Sequence, residues 1–384
     1  MNKEWFDNII DRSGTHSVKW DVDQGELPMW VADMDFAIAP AIEEAVKKRA
    51  AHPVFGYNMI PAAWNEAYVN WWRTRHDFTM DADWLVFTTG VIPALSTGVR
   101  RFSAPAEKVL INSPVYNVFY NSIVNNGRVI LDSPLAYDGD RFDIDWADLE
   151  EKLSDPQCSL YILCNPHNPV GRIWRKEELA RIGELCKKHH VTVISDEIHC
   201  DITSPGKSYT PFAAASDICK EISITAIAPT KAFNIAGLHT AAVMVPDETL
   251  HHRMWRALNN DEVAEANAFA VDAAIAAFTF GAEWLDAMRA YVEENKNYVR
   301  AFLKEHIPEI TAPQSEATYL LWLDCTKLTQ DSRAFAKEIR QKTGLYLSNG
   351  AQYGGAGTGF LRMNLACPRS YVEDGMRRLK EGLE

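Results

Sequence analysis

From about residue 84 onward, the chain alternates short apolar runs with amphipathic stretches. The apolar runs are rich in β-branched residues and predict buried strands, while the stretch 177–189 repeats its apolar residues at helical spacing. Strands that alternate with helices predict an α/β fold with a mostly parallel sheet covered on both faces. The predicted strands are 84–87, 108–111, 159–164, 191–194 and 222–227.

A longer helical pattern at 283–306 predicts a helix that connects two domains. After it, strand patterns at 318–323 and 360–363 alternate with helical ones, which predicts a small α/β unit. The first 45 residues show no regular pattern, and we expect them to pack against that unit. We therefore predict a large domain at 46–284 and a small domain made of 1–45 together with 285–384.

The composition narrows the classes of partner. The 384 residues are 47% hydrophobic and 24% charged, which is typical of a globular protein, and the net charge is −13. A negative chain is a poor partner for nucleic acid or an anionic membrane surface. Seven scattered cysteines predict reduced thiols, and neither a signal region at 1–7 nor a run of about 18 apolar residues is evident. We expect a cytoplasmic protein.

Lys231 lies just past the predicted strand 222–227 and precedes a loop at 232–238. Open α/β sheets bind their ligands at the carboxyl ends of the strands. An amine at that edge can form a Schiff base with an aldehyde cofactor, so Lys231 is the first candidate for chemistry.

Two further candidates follow strands of their own. Asp196 ends the run 191–196, where a buried carboxylate needs a partner such as a protonated pyridine nitrogen, although capping the next helix is an equally simple role. The turn Asn165–Gly171 contains two Asn-Pro steps, and its Asn168 can offer an amide to a ring hydroxyl. The turn could also be purely structural.

A phosphate site is predicted where strand 84–87 meets a helix. Pro93 suits the first turn of that helix, so the backbone N–H groups of Gly90, Val91 and Ile92 are free to bind an anion. Thr230 adds a hydroxyl beside the candidate lysine.

Tyr116 and Arg362 are weaker candidates taken one at a time. Tyr116 follows strand 108–111 and could stack on a flat ring or could simply be a core tyrosine. Arg362 lies among apolar neighbours, where its planar fork suits either a substrate carboxylate or a structural salt bridge.

Other features predict packing rather than chemistry. The glycine-rich stretch 354–359 lacks the spacing of a dinucleotide site. The pairs His189–His190 and His251–His252 are adjacent, so their side chains point apart on a helix, and we predict no metal site. Trp71–Trp72 and the alanine-rich stretch 264–277 predict helix packing.

Taken in order, these motifs resemble the fold-type I enzymes that depend on pyridoxal 5′-phosphate (PLP), the aspartate aminotransferase superfamily. The resemblance covers nearly the whole chain. Within it, the stretches 29–36, 55–57 and 195–201 are similar to those of the MalY/PatB group of cystathionine β-lyases. It implies a large domain with a mostly parallel seven-stranded sheet, a small α/β domain and PLP as the cofactor.

The resemblance also implies roles for single residues. Lys231 would carry PLP as a Schiff base, Asp196 would pair with the pyridine nitrogen, and Asn168 would contact the ring hydroxyl. The other implied roles are ring stacking for Tyr116, phosphate binding for Gly90, Val91, Ile92 and Thr230, phosphate binding across a homodimer interface with shared sites for Tyr57, and binding of the substrate carboxylate for Arg362 and the backbone near Ala32, with Tyr57 close by.

Two positions depart from the wider superfamily. His199 stands where aminotransferases usually carry a tyrosine that bonds the ring hydroxyl, so it is predicted to line the cofactor site. His239 replaces an arginine that many relatives place on the phosphate.

The implied activity is α,β-elimination. An amino-acid substrate such as L-cystathionine or another cysteine S-conjugate would be cleaved to a thiol, pyruvate and ammonia. Two alternatives stay open: a class I/II aminotransferase that uses the same residues, and a PLP-binding protein that acts mainly through a regulatory partner.

Overall fold

The computed structural model describes residues 3–384, so residues 1 and 2 of the predicted small domain lie outside the described residues. Within this range the helices are α1 Glu4–Asp7, α2 Pro40–Ala50, α3 Ala62–Arg75, α4 Val91–Phe102, α5 Val118–Val124, α6 Trp146–Leu153, α7 Lys176–Lys188, α8 Phe212–Ala215, α9 Asp217–Ile222, α10 Glu248–Asn260, α11 Ala270–Phe280, α12 Ala282–His306, α13 Ser332–Thr343 and α14 Arg369–Leu383. The strands are β1 Leu27–Pro28, β2 Leu85–Thr88, β3 Lys108–Ile111, β4 Val129–Asp132, β5 Ala136–Tyr137, β6 Phe142–Asp143, β7 Cys158–Cys164, β8 Thr192–Asp196, β9 Ser223–Ile227, β10 Ala241–Met244, β11 Leu320–Asp324, β12 Leu345–Tyr346, β13 Ser348–Asn349 and β14 Phe360–Asn364.

A seven-stranded sheet forms the centre of the larger part of the molecule. Its strand order is β2-β10-β9-β8-β7-β3-β4, and only β10 runs antiparallel to its neighbours. The central strands are almost entirely buried because α4 covers one face and α7 the other. The predicted α/β architecture with a mostly parallel seven-stranded sheet is therefore confirmed.

Helix α4 illustrates how the sequence positions the edge of this sheet. Its apolar residues recur every three or four positions, and Leu95 and Val99 are fully buried. At Gly98 a Cβ atom would lie 2.4 Å from Ile194 Cδ1, so a larger residue there would displace the end of the Ile194 side chain on β8. This packing fixes the amino-terminal end of α4 beside the carboxyl ends of the strands.

The carboxyl-terminal third forms a smaller unit around an antiparallel sheet of order β11-β14-β13. Helix α12 connects the two parts, with Trp284 in the core beside α3 and Val299 in the core of the smaller unit. The amino-terminal segment contacts both, since Phe6 packs on Trp284 while Leu27 pairs with Leu345. The domain boundaries near 45 and 284 stay a prediction.

Some predicted boundaries were wrong for local reasons. The strand expected from residue 318 begins at Leu320, because Thr318 has a left-handed backbone with φ of +65°. The alanine-rich stretch becomes helical only at Ala270, where the side chain of Asn267 accepts hydrogen bonds from the first backbone N–H groups. Among residues 3–384, none of the helices combines the length and the apolar character needed to cross a bilayer.

Candidate active site

The strand ends bring the predicted residues together. Asp196 is the last residue of β8, Asn168 lies in the turn after β7, and Lys231 follows β9. These three strands are parallel neighbours, so their carboxyl ends meet at one edge of the sheet. A cavity of about 210 Å³ lies there. The predicted site residues that line it are Ala32, Gly90, Val91, Ile92, Tyr116, Asn168, Asp196, His199, Thr230 and Lys231.

The surroundings of Lys231 lower the pKa of its amine. Its Nζ donates a hydrogen bond to the carbonyl of Ala32. Burial, and then the positive charge of Arg362, lower the pKa of Lys231 to about 8, against a smaller opposing effect of Asp33 and Asp196. A measurable fraction of the amine is therefore neutral near pH 7, and a neutral amine can act as a nucleophile or a base.

Asp196 is a buried carboxylate, and no arginine or lysine among residues 3–384 forms a salt bridge with it. Burial raises its pKa to about 7, an N–H donated by Ile198 at 3.1 Å opposes this, and the neighbouring charge of Glu197 adds to it. A ligand that carries a positive charge would stabilise the ionised form of this buried carboxyl group. A protonated ring nitrogen would supply such a charge.

Glu197, next in the chain, has the opposite arrangement. Its fully buried carboxylate accepts hydrogen bonds from Tyr209, Ser195, Asn165 and the backbone N–H of Phe212. Sequence reasoning missed this network, because the donors come from three separate segments. It holds the end of β8 in place behind Asp196.

The turn after β7 positions Asn168. The peptide bonds before Pro166 and Pro169 are cis, and Gly171 has φ of +74°. A Cβ atom on Gly171 would lie 2.2 Å from Ser315 Oγ, so the turn requires glycine there. The Oδ1 atom of Asn168 accepts from Arg362 at 3.3 Å, which leaves the amide NH₂ as the donor for a ring hydroxyl.

The amino-terminal end of α4 forms the predicted phosphate site, which we call the anion cradle. The helix begins at Val91, and its N-cap residue Gly90 has no side chain that could cap it. The first N–H groups of a helix have no acceptor inside the helix and lie at the positive end of its dipole. Thr230 and His239 line the same cavity, so a phosphate there would meet backbone N–H groups, a hydroxyl and an imidazole.

Arg362 lies in the middle of β14 and is buried. Its Nη2 donates to the carbonyl of Trp30 at 2.9 Å, and its guanidinium lies 4.8 Å from the ring centre of Tyr353. Within residues 3–384, no hydrogen-bond partner is present for its Nε. The guanidinium of Arg362 is held in a fixed orientation, and its Nε–H can donate to a ligand. The group is therefore suited to bind a carboxylate.

The backbone around Ala32 is held rigidly from several sides. Asn364 donates from Nδ2 to the carbonyls of Val31 and Asp33, and Tyr319 donates to the carbonyl of Ala32 at 3.0 Å. These bonds fix the carbonyl that receives the Lys231 amine.

Comparison with known proteins is consistent with this geometry. A family model described as aminotransferase class I and II matches residues 28–379. This chain belongs to that family. Cystathionine beta-lyase PatB of Bacillus subtilis (strain 168) is 42% identical, covering 98% of this chain and 99% of the relative. Protein MalY of Escherichia coli (strain K12) is 33% identical over 97% of each chain. The solved structure of cystalysin from Treponema denticola, which contains a pyridoxal 5′-phosphate cofactor, has a TM-score of 0.95 at 31% identity and covers 98% of each chain.

Two histidines, His199 and His239, line the cavity. His199 is buried, and burial, then Lys231 and Arg362, lower its pKa to about 3, so its imidazole is neutral. Within the described chain, its Nδ1 has no hydrogen-bond partner. His239 has a left-handed backbone with φ of +51° and faces the cavity near the anion cradle.

The aromatic neighbours of the site are partly new. Tyr116 lines the cavity as predicted, and burial raises the pKa of its hydroxyl. Tyr353 and Tyr319 were missed by sequence reasoning, because each contacts the site from a distant part of the chain.

Tyr57 is the one predicted residue that lies apart. Its side chain is fully exposed, and it borders a separate surface cavity together with Arg49 and Phe280. One chain alone therefore does not bring Tyr57 to the cavity, and its role across a subunit interface stays a prediction.

The residues present fit PLP and an amino acid. The uncapped helix end suits a phosphate, the open Nε of Arg362 suits a carboxylate, and Asp196 lacks the cation that a protonated pyridine would provide.

Proposed function

We propose that this protein is a PLP-dependent carbon–sulfur β-lyase that cleaves L-cystathionine or related cysteine S-conjugates to a thiol, pyruvate and ammonia. The observation that carries the proposal is the single cavity shared by Lys231, Asp196 and Asn168, with Arg362 bonded to Asn168 at its wall. The extensive identity to cystathionine beta-lyase PatB supports the choice of reaction.

PLP, when bound, supplies an aldehyde that holds an amino group and a ring that withdraws electrons from the substrate Cα. The chain supplies the remaining steps. Asp196 would keep a proton on the ring nitrogen of the cofactor, and Arg362 would orient the substrate through its carboxylate. Lys231 would hold the cofactor through Nζ until the amino group of the substrate takes its place, and the freed Nζ, neutral in part at pH 7, would take the proton from Cα.

The proton taken from Cα has a defined destination in the elimination. The electron pair from the Cα–H bond forms a Cα–Cβ double bond as the Cβ–S bond breaks, and the sulfur leaves with its electrons as a thiolate. The proton gained by Lys231 Nζ is available to neutralise that thiolate, which returns the lysine to its basic form. Water then converts the remaining three-carbon fragment to pyruvate and ammonia.

The direct test measures pyruvate from L-cystathionine without any added 2-oxo acid. We expect release by the parent enzyme and none by Lys231→Ala. If pyruvate appears from no cysteine S-conjugate, the lyase proposal is wrong.

A class I and II aminotransferase activity is the second candidate, because the matching family model carries that description. It needs the same lysine, aspartate and arginine but consumes a 2-oxo acid as amino acceptor. Turnover that depends strictly on a 2-oxo acid would favour this reaction over elimination.

We also propose a homodimer in which Tyr57 binds the phosphate of the partner's site. The segment 54–59 supports this, because Val54, Phe55, Tyr57 and Met59 expose large apolar side chains side by side. The cytoplasmic location stays an expectation, which the seven free and buried cysteines support.

Mixing two deficient variants tests the shared site. Lys231→Ala and Tyr57→Ala should each be impaired, and hybrids of the two should regain activity, because one site of the pair has both residues. No recovery after subunit exchange would mean that Tyr57 does not act across the interface.

A further inference from the structure

A second cluster of reactive side chains lies outside the cofactor cavity. His76 follows the end of α3, and Cys200 and Asp201 follow β8. Their ligand atoms all lie within 4.8 Å of one another. We infer that His76, Cys200 and Asp201 form a binding site for a divalent cation of the zinc class. This revises the expectation from the sequence that the chain has no metal site.

The separations between the ligand atoms suit tetrahedral zinc. Cys200 Sγ lies 3.8 Å from Asp201 Oδ2, and His76 Nε2 lies 2.9 Å from Asp201 Oδ1. Bonds of about 2.0 Å to nitrogen or oxygen and about 2.3 Å to sulfur place tetrahedral ligand atoms roughly 3.5 Å apart. All the ligand atoms lie within 4.8 Å of one another, so side-chain rotations that open the His76–Asp201 contact and close the wider separations would bring them to this spacing.

Neighbouring side chains orient the ligands. Trp71 donates from its indole Nε1 to Asp201 Oδ1 at 2.9 Å, and the ring of Tyr209 packs edge-on against His76 at 5.0 Å. Such outer contacts fix the direction of ligating groups in metal sites. The second carboxylate oxygen, Oδ2, lies 3.8 Å from the Cys200 thiol.

An ion can reach the cluster from outside. His76, Cys200 and Asp201 line a surface cavity of about 260 Å³, from which water could supply a fourth ligand. Arg75, Arg289 and Lys207 line the same cavity. These three cations share two carboxylates, since Arg75 and Arg289 both bind Asp286 and Lys207 binds Glu316. The positive charge around the entrance is therefore compensated in part.

The choice of metal follows from the donors. A thiolate, an imidazole and a carboxylate together match the mixed sulfur, nitrogen and oxygen sites that zinc occupies, whereas magnesium and calcium prefer oxygen alone. Cys200 directly follows His199, so an ion here would be attached to a wall of the cofactor cavity.

Cadmium provides a direct readout of the thiolate, and no lyase turnover is involved. We expect chelator-treated holoenzyme to develop an ultraviolet thiolate-to-cadmium charge-transfer band that saturates at one ion per chain. Zinc should compete for the same site and raise the melting temperature, because a preformed site binds the ion more tightly than the unfolded chain does.

Variants then assign the ligands. Cys200→Ser should abolish the cadmium band, and His76→Gln should weaken zinc binding by at least about tenfold, while Trp71→Phe should weaken it by about 10–100-fold as an outer contact. Cys186→Ser, a buried thiol on α7, is the matched control and should bind as the parent does.

Two results would overturn the inference. One is a parent enzyme with neither the cadmium band nor a zinc-dependent rise in melting temperature, which requires no variant to fold. The other is a band that persists in Cys200→Ser. Either result leaves the lyase proposal intact, because these measurements contain no substrate.

Discussion

Two groups of buried charged residues lie near the segment 31–36, and they differ in whether their charges are paired. In the first group, Asp35 accepts from Lys19 at 2.6 Å and from Arg12 at 2.8 Å. In the second group, Lys231 donates to a carbonyl, and neither Lys231 nor Asp196 forms an ion pair among residues 3–384. Burial of a charge is costly unless a partner compensates it. The paired cluster therefore stabilises the fold, whereas the unpaired residues are kept available for a ligand.

The largest effect should come from removing the reactive amine. Lys231→Ala should lower kcat/KM by at least about 10³-fold and abolish the visible absorbance of the bound cofactor, because none of the other lysines among residues 3–384 lines the cavity. Absorbance spectra and steady-state rates measure both.

Lys296 is the matched control for that variant. It is also buried with a pKa lowered to about 8 by burial, but its Nζ contacts Ser315 and the carbonyl of Ala317 instead of the cavity. Lys296→Met should keep the visible absorbance. If it loses that absorbance while Lys231→Ala keeps it, the assigned anchor is wrong.

The paired cluster should respond in stability instead. Asp35→Asn removes the carboxylate nearest to the buried amine of Lys19, leaves it with the more distant Asp33 at 3.8 Å, and should lower the free energy of unfolding by about 3 kcal/mol. Asp374→Asn, which breaks solvent-accessible pairs with Arg377 and Arg378, should cost about 1 kcal/mol or less. Urea denaturation compares the two, and equal losses would contradict the distinction drawn here.

The unpaired carboxylate should carry a stability cost that depends on pH. The pKa of Asp196 is raised to about 7 in the folded protein, from 3.8. Below pH 4 both states hold the proton, and between about pH 4 and 7 the unfolded state releases it more readily, so folding weakens as the pH rises.

Asp196→Asn removes this cost. The cofactor-free variant should match its parent near pH 4 and exceed it by up to about 4 kcal/mol above pH 7, while activity of the holoenzyme falls by at least about 100-fold. Thermal unfolding at several pH values measures the difference. A constant difference across this range would disprove the link to Asp196.

The smallest effect on activity is expected from a change at Arg362, the proposed binding site for the substrate carboxylate. Arg362→Lys keeps the charge but loses the fork, which should reduce kcat/KM by about 10–100-fold, mainly through KM. Arg340→Lys, which alters a pair with Glu26 away from the cavity, should leave KM unchanged. A fall in kcat alone would place Arg362 in a different role.

Much of the site was predictable because its parts are local. Asp196, Asn168 and Lys231 each follow a short apolar run, and parallel strands bring such positions to one edge by topology alone. The anion cradle was equally accessible, since Pro93 marks the first turn of α4 and leaves its N–H groups open.

The contacts around these residues were not predictable. Tyr353 supports Arg362, and Tyr319 donates to the carbonyl of Ala32, yet neither belongs to a motif with its partner. His76 and Asp201 are 125 residues apart in the chain and lie within hydrogen-bond distance in the fold. Side-chain pairs of this kind depend on how helices pack onto the sheet.

The sequence by itself determined the order of strands and helices, the residues at the strand ends and the chemistry that they imply. Those properties depend on apolar periodicity and on turn residues, which act over a few positions. Only the tertiary structure decided which buried charges are paired and which are left open. Pairing and burial depend on atoms that come together from distant segments, and these set the pKa values of Lys231 and Asp196.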